Sequence, residues 1–264
     1  MKYPRRIGAM LAGAIALVST LGPATSASAE DASETYKSII NDRAPAVVTI
    51  KYILIMSGGG QEQEQERETN GVMIDSGGLV LCSNTEIGGN SALLRAFGMG
   101  EVTLSQSDVR VLIGDDTEGV PATIMARDSE MDLAWLKIDE PSENGYPFVD
   151  VSENVDIEAG SQIYTVAKTN EFFGRAPVVS EGRVAAEIRT PRRMMVPSPS
   201  LGAEHGTPVF GEGGAFAGFV VLYAPDAEEL ELTENPTEMM GSFILPAIDV
   251  LDATSRAREA ESLD

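Results

Sequence analysis

Apolar residues recur along this chain at two spacings, and the change from one to the other divides it. Over "DASETYKSIINDRAP" (31–45), Tyr36, Ile39 and Ile40 fall at helical spacing, and Asp31 lies three places before Glu34, as in a capping box. A short helix is therefore predicted there, closed by Pro45. From Ala46 onward the spacing becomes two. "AVVTIKYILIM", "GVMI", "LVLCS", "VRVLIG", "PATIMA" and "LAWLKI" read as short strands separated by Gly, Asp, Ser and Asn clusters. After the "DEPSENGYPF" break a second set follows: "SQIYTVAK", "PVVSEGRVAAEI", "TPVFGEGGAFAGFVVLY" and "GSFILPA". The pattern predicts an all-β protein built from two β units of similar size, one over about 44–140 and one over about 150–247. Ile248 and Leu251 return to helical spacing, which predicts a terminal helix fraying into a charged tail over 256–264. Two acidic segments interrupt the strands. "GGGQEQEQERE" (58–68) has no apolar side chain to bury and reads as a disordered, dispensable surface loop, and "DAEELELTENPTEMM" (226–240) reads as a second insertion.

The first 29 residues stand apart from this pattern. A basic start, "MKYPRRIG", precedes the apolar run "AMLAGAIALVSTLG" and the small-residue site Ala27-Ser28-Ala29, the layout of a cleaved export signal. The folded unit is then expected over 30–255, in a periplasmic or secreted protein; Arg5-Arg6 leaves Sec and twin-arginine export both open. The formal net charge of −22 becomes more negative once Lys2, Arg5 and Arg6 leave with the signal. So acidic a surface repels phosphate backbones and anionic lipid, which argues against nucleic-acid and membrane-surface partners and leaves cationic ones open. Cys82 is the only cysteine, so no internal disulfide forms, and its alternating neighbours place it on a buried strand.

Six ordered pieces then resemble the protease domain of the HtrA/Deg type, within the chymotrypsin-like serine peptidases. They are "APAVVTI" (44–50), "NGVMIDSGGLVLCSNTEI" (70–87), "ARDSEMDLAWLKI" (126–138), "VVSEGRVAAEI" (178–188), "FGEGGAFAGFVV" (210–221) and "GSFILPA" (241–247). The resemblance covers most of 35–255 and implies a chymotrypsin/trypsin-like double β-barrel with short N-terminal and C-terminal helices. The active site would lie in the cleft between the barrels. No PDZ domain is expected to follow.

Carried over residue by residue, the resemblance places the general base on Thr85, the orienting acid on Asp132 and the nucleophile on His205, within "GAEHGTPVF". It places the oxyanion hole on Ala203 and His205. Only Asp132 keeps the family's residue type. A serine hydroxyl needs an imidazole to take its proton, and the aspartate acts only through that imidazole, so this triad is degenerate and not expected to be active. Ala203, where the family has glycine, weakens the oxyanion hole as well. The reading is a pseudoprotease serving as a protein- or peptide-binding module through its inter-barrel cleft, with no cofactor and no metal. Two alternatives stay open: an active serine endopeptidase with an unusual catalytic set, and an assembly partner acting through its acidic loops. A Thr85–His205 dyad would put the hydroxyl on the wrong side of the oxyanion donors. A metal held by His205, Glu204 and Glu86 has no ligand spacing behind it. Ser198 and Ser200 do not fit the nucleophile register, and Trp135 reads as core. Asp132, left without its histidine, is expected to contact His205 directly or through water and to raise the imidazole pKa.

Overall fold

The computed structural model describes residues 27–89, 94, 102–199, 205–224 and 240–262, with side chains from 33 onward. The leader up to residue 26, Ala203, Glu204, Ser200 and nearly all of the second acidic insertion lie outside the described residues. Among the described residues there are twelve strands: β1 (Val47–Gly58), β2 (Gln61–Met73), β3 (Leu79–Ser83), β4 (Thr103–Leu112), β5 (Val120–Asp128), β6 (Leu133–Ile138), β7 (Gln162–Lys168), β8 (Pro177–Ile188), β9 (Met194–Ser198), β10 (Pro208–Phe210), β11 (Phe216–Tyr223) and β12 (Gly241–Pro246). They close into two antiparallel barrels with neighbour orders β1-β2-β3-β6-β5-β4 and β7-β8-β9-β12-β11-β10. The two rings share one topology, so the halves of the chain repeat a fold that their sequences do not visibly repeat. This is the double β-barrel of the chymotrypsin type.

Each barrel is filled by the inward positions of its strands. β3 and β6 are buried almost throughout, which is why "LVLCS" and "LAWLKI" are continuous apolar runs. Cys82 is fully buried, and Trp135 packs in the core while its indole N–H donates to Thr254 at 3.1 Å. Thr254 belongs to α2 (Ala247–Glu261), which lies against the first barrel and ties the chain end back to it. The expected fraying over 256–264 does not occur as far as Glu261. Ala257 is buried, Arg258 reaches Asp75 at 2.8 Å, and Glu261 reaches Lys137 at 2.6 Å, so the charged segment has partners. At the other end α1 (Ala27–Ser38) already includes Asp31, which is therefore inside the helix and not its cap. It passes through a wider turn (Ile39–Arg43) and a tight one (Ala44–Ala46) into β1.

The largest correction concerns 58–68. The segment is not a loop: Gln61–Glu68 is the outer half of β2, paired residue for residue with β1, from Gly58 opposite Gln61 to Lys51 opposite Glu68. Gly59 and Gly60, at φ +61° and +76°, make the left-handed two-residue turn that suits a tight hairpin. Backbone pairing to β1, itself held by β4 on its other edge, supplies the order that side-chain burial does not. The alternation in "QEQEQE" then puts Glu62, Glu64 and Glu66 on one face and the three glutamines on the other, and Lys51 meets Glu66 at 3.0 Å. One acidic loop required by the assembly reading is thus a strand. β9 is absent from the strands that the sequence pattern predicts; it pairs with β8 on one side and touches β12 at Met195 on the other.

Candidate functional site

Closure of the first barrel brings Thr85 and Asp132 together. Asp132 sits in the turn between β5 and β6 at φ +56°, a left-handed conformation that aspartate tolerates better than most residues. Its carboxylate is almost fully buried and receives three donors: the Thr85 N–H at 2.7 Å, the Ser83 hydroxyl at 2.8 Å and the Leu222 N–H at 2.9 Å. The last comes from β11, so this acid also joins the two barrels. The Thr85 side chain adds a further hydrogen bond. Burial pushes the Asp132 carboxyl above its ordinary range, and the hydrogen bonds from Leu222, Thr85 and Ser83 pull it only partly back.

His205 does not join this group, which corrects the expected His205–Asp132 contact. Both of its ring nitrogens are engaged elsewhere: Nδ1 lies 3.0 Å from Glu86 Oε1 and Nε2 lies 2.8 Å from Ser242 Oγ. The pKa expectation built on the Asp132 contact loses its basis. Asp132 instead takes its donors from the Thr85 and Leu222 N–H groups and the Ser83 hydroxyl.

His205 is aimed by the turn it opens. Gly206 stands at φ +89°, and a Cβ there would meet Asn70 O at 2.9 Å and Ser83 N at 3.0 Å, so only glycine lets the second barrel approach the first so closely. Gly206 N–H to Val220 O and Val220 N–H to Thr207 O, both 2.9 Å, lock the turn to β11. Glu86 is aimed from the other side: its N–H donates to Ser83 Oγ at 3.2 Å, and the buried Tyr52 hydroxyl donates to its carbonyl. Burial, followed by the nearby Glu86 charge, pushes the Tyr52 hydroxyl up to about 12, which keeps it a donor. Ser242 is exposed on β12, opposite Leu222 in register.

The sequence reading missed Ser242 entirely and weighed Glu86 only as a metal ligand. No spacing signal could have found the pair, since residues 86, 205 and 242 meet only when both barrels have closed. Ala203, the other position at which the resemblance expects the oxyanion hole, lies outside the described residues. Among the described residues no group of three or more His, Cys, Asp or Glu is placed to hold a metal ion.

Nearby, Thr49, Thr69 and Asn70 of the first barrel and Lys168, Thr169 and Asn170 of the second line a small polar groove, bridged by the Lys168 N–H on Asn70 Oδ1 at 2.7 Å. Thr169 Oγ1 is buried there without a protein partner among the described residues. Arg175 and Glu68 form a two-pronged ion pair between the barrels alongside it.

Comparison with known proteins agrees with this geometry. Residues 69–218 match the family model described as a trypsin-like peptidase domain. A comparison with curated protein sequences finds no match. Among solved structures, the chain is similar to the MamO protease domain from Magnetospirillum magneticum in its apo form, at 16% identity and a TM-score of 0.50, covering 80% of this chain and 97% of that one. At that identity the likeness speaks for the fold.

Proposed function

The chain belongs to the trypsin-like peptidase domain family, and from that premise we propose that it is an exported member that binds an extended peptide or protein segment in the cleft between its barrels and does not cleave it by the family's route. One observation carries the reading: the carboxylate that should orient a catalytic imidazole is instead saturated by Thr85 N–H, Ser83 and Leu222 N–H. Nothing at Thr85 can take a proton from a hydroxyl, and the ring nitrogens of the imidazole at 205 are engaged by Glu86 and Ser242. The acid has become part of the joint between the barrels.

Binding is supported by the polar groove between the barrels. Its polar lining of Thr49, Thr69, Lys168 and Asn170 suits a ligand that brings donors and acceptors at short intervals, as a peptide backbone does. The negative charge of the chain favours a basic segment. The test is incubation of the chain from residue 30 onward with a library of labelled unstructured peptides and with casein. Fluorescence anisotropy is expected to rise with basic peptides, with no new amino termini above a buffer blank. Steady release of peptide amines by repurified protein, or the absence of any binding in the library, would sink the reading.

A further inference from the structure

We propose that Glu86, His205 and Ser242 form a proton relay assembled from both barrels, in which Ser242 is a nucleophile toward activated carboxylic esters. The inference goes beyond the binding reading above, since it uses neither Thr85 nor Asp132.

The geometry has the order such chemistry requires. An ionised Glu86 can only accept, so the Nδ1 it touches at 3.0 Å carries the proton. Neutral imidazole then has its lone pair on Nε2, and the Ser242 hydroxyl 2.8 Å away donates to it. Acid on one nitrogen and hydroxyl on the other is the arrangement that prepares a hydroxyl for attack, and the tautomer is set by a carboxylate, as it must be for a base. His205 is the only histidine of the chain. Glu86 is anchored by Tyr52 and Ser83, His205 by the Gly206 turn and Ser242 by β12, so each member sits on a braced element. Ser242 is exposed and His205 half-buried, which leaves the hydroxyl open to a small electrophile while its base is partly shielded.

The surroundings narrow the substrate. Ser242 lies on a regular strand, and the N–H of Leu222, opposite it in register, is committed to Asp132. A developing oxyanion would not find that donor, so the substrate must supply activation through its leaving group, as an aryl ester does and an amide does not. In the first step Ser242 Oγ attacks the ester carbonyl carbon and its proton passes to His205 Nε2. The bond from that carbon to the aryl oxygen breaks, and the proton moves on to the departing oxygen. In the second step His205 takes a proton from water as the water attacks the acyl carbon, then returns it to Ser242 Oγ. The sum is ester plus water giving acid plus phenol.

The test uses the full chain with an alkyl fluorophosphonate, which exchanges its fluoride for the serine oxygen, and with p-nitrophenyl acetate. Peptide mapping is expected to place the phosphonyl adduct on Ser242, with none in Ser242→Ala. His205→Gln keeps a polar partner for both neighbours yet should slow phenol release about 100-fold or more, the usual worth of a positioned base. Glu86→Gln is the discriminating variant. Its amide can donate to Nδ1, which turns the imidazole into the other tautomer, and a fall of about 10-fold or more is expected with near-ultraviolet dichroism unchanged. An adduct on any other residue, a rate indifferent to His205→Gln, or an unchanged rate in Glu86→Gln overturns the relay.

Discussion

Two carboxylates stand a few residues from each other's partners in this cleft, and they have opposite fates. Asp132, at the position to which the resemblance assigns the orienting acid, is buried at 2% exposure and accepts from the Thr85 and Leu222 N–H groups, the Ser83 hydroxyl and the Thr85 side chain. Glu86, at a position the motif does not mark, keeps 38% of its side chain exposed and holds the single imidazole. Ser83 touches both, donating to Asp132 and accepting from the Glu86 N–H. The contrast teaches that identity at a motif position and chemical availability are separate properties. A carboxylate acts in catalysis only if something protonic depends on it, and the imidazole of His205 meets Glu86. One acid now serves the joint between barrels; the other faces the solvent-accessible histidine.

The strongest way to break this contrast is to remove each acid in turn and weigh the damage. Asp132→Ala leaves the Thr85 N–H, the Leu222 N–H and the Ser83 hydroxyl facing a buried void, and should lower unfolding free energy by on the order of 3 kcal/mol or more. Urea unfolding followed by tryptophan fluorescence reads it directly, since Trp135 lies on β6 immediately beyond Asp132. A loss below about 1 kcal/mol would show that the donors find other partners and that Asp132 is not structural.

The sequence shows where legibility stops. The bounds of β3, β6 and β8 coincide with the runs "LVLCS", "LAWLKI" and "PVVSEGRVAAEI", because turn residues bracket each run on both sides. Gln61–Glu68 was misread because its order comes from pairing with β1, a property of the partner strand and not of its own side chains. β9 is short and carries Pro197, and its order comes from pairing with β8, which its own sequence does not announce. The site divides the same way. Thr85 and Asp132 are readable because each lies in a local motif. Glu86, His205 and Ser242 are separated by 119 and 37 residues, and only barrel closure brings them to one point. A motif can say which residues were inherited, but the hydrogen bonds decide which still depend on one another.

Removing the other acid sharpens the contrast from its weak side. Glu86→Ala loses a partly exposed contact to His205, of the kind that contributes about 1 kcal/mol or less, and solvent can hydrate what remains. The same urea experiment should therefore show a small shift in midpoint with an unchanged slope. A loss as large as that of Asp132→Ala would mean that Glu86 is a second structural clamp between barrels, and the division of roles drawn above would fail.

The smallest effect expected is in pH dependence, and it probes the buried acid without removing its shape. Burial raises the folded-state pKa of Asp132 above its unfolded value, so the folded protein holds this proton more tightly than the unfolded chain does. By linkage the contribution is fully present below the unfolded carboxyl pKa, about 3.9, and is lost as pH rises through the higher folded value. This is the reverse of a salt-bridged aspartate, whose stabilisation disappears on acidification. Asp132→Asn cannot ionise and so cannot show the loss. Unfolding free energies of the wild type and Asp132→Asn, measured in parallel from below pH 4 upward, should therefore diverge: the wild type loses ground relative to the variant as pH rises through the acid range. The remaining carboxylates are common to both chains and cancel in the difference. A difference that grows in the wild type's favour as pH rises would mean that the hydrogen bonds from Leu222, Thr85 and Ser83 outweigh burial and hold the folded-state pKa below the unfolded one. Asp132 would then be a charge its surroundings welcome, and its contrast with Glu86 would rest on exposure alone.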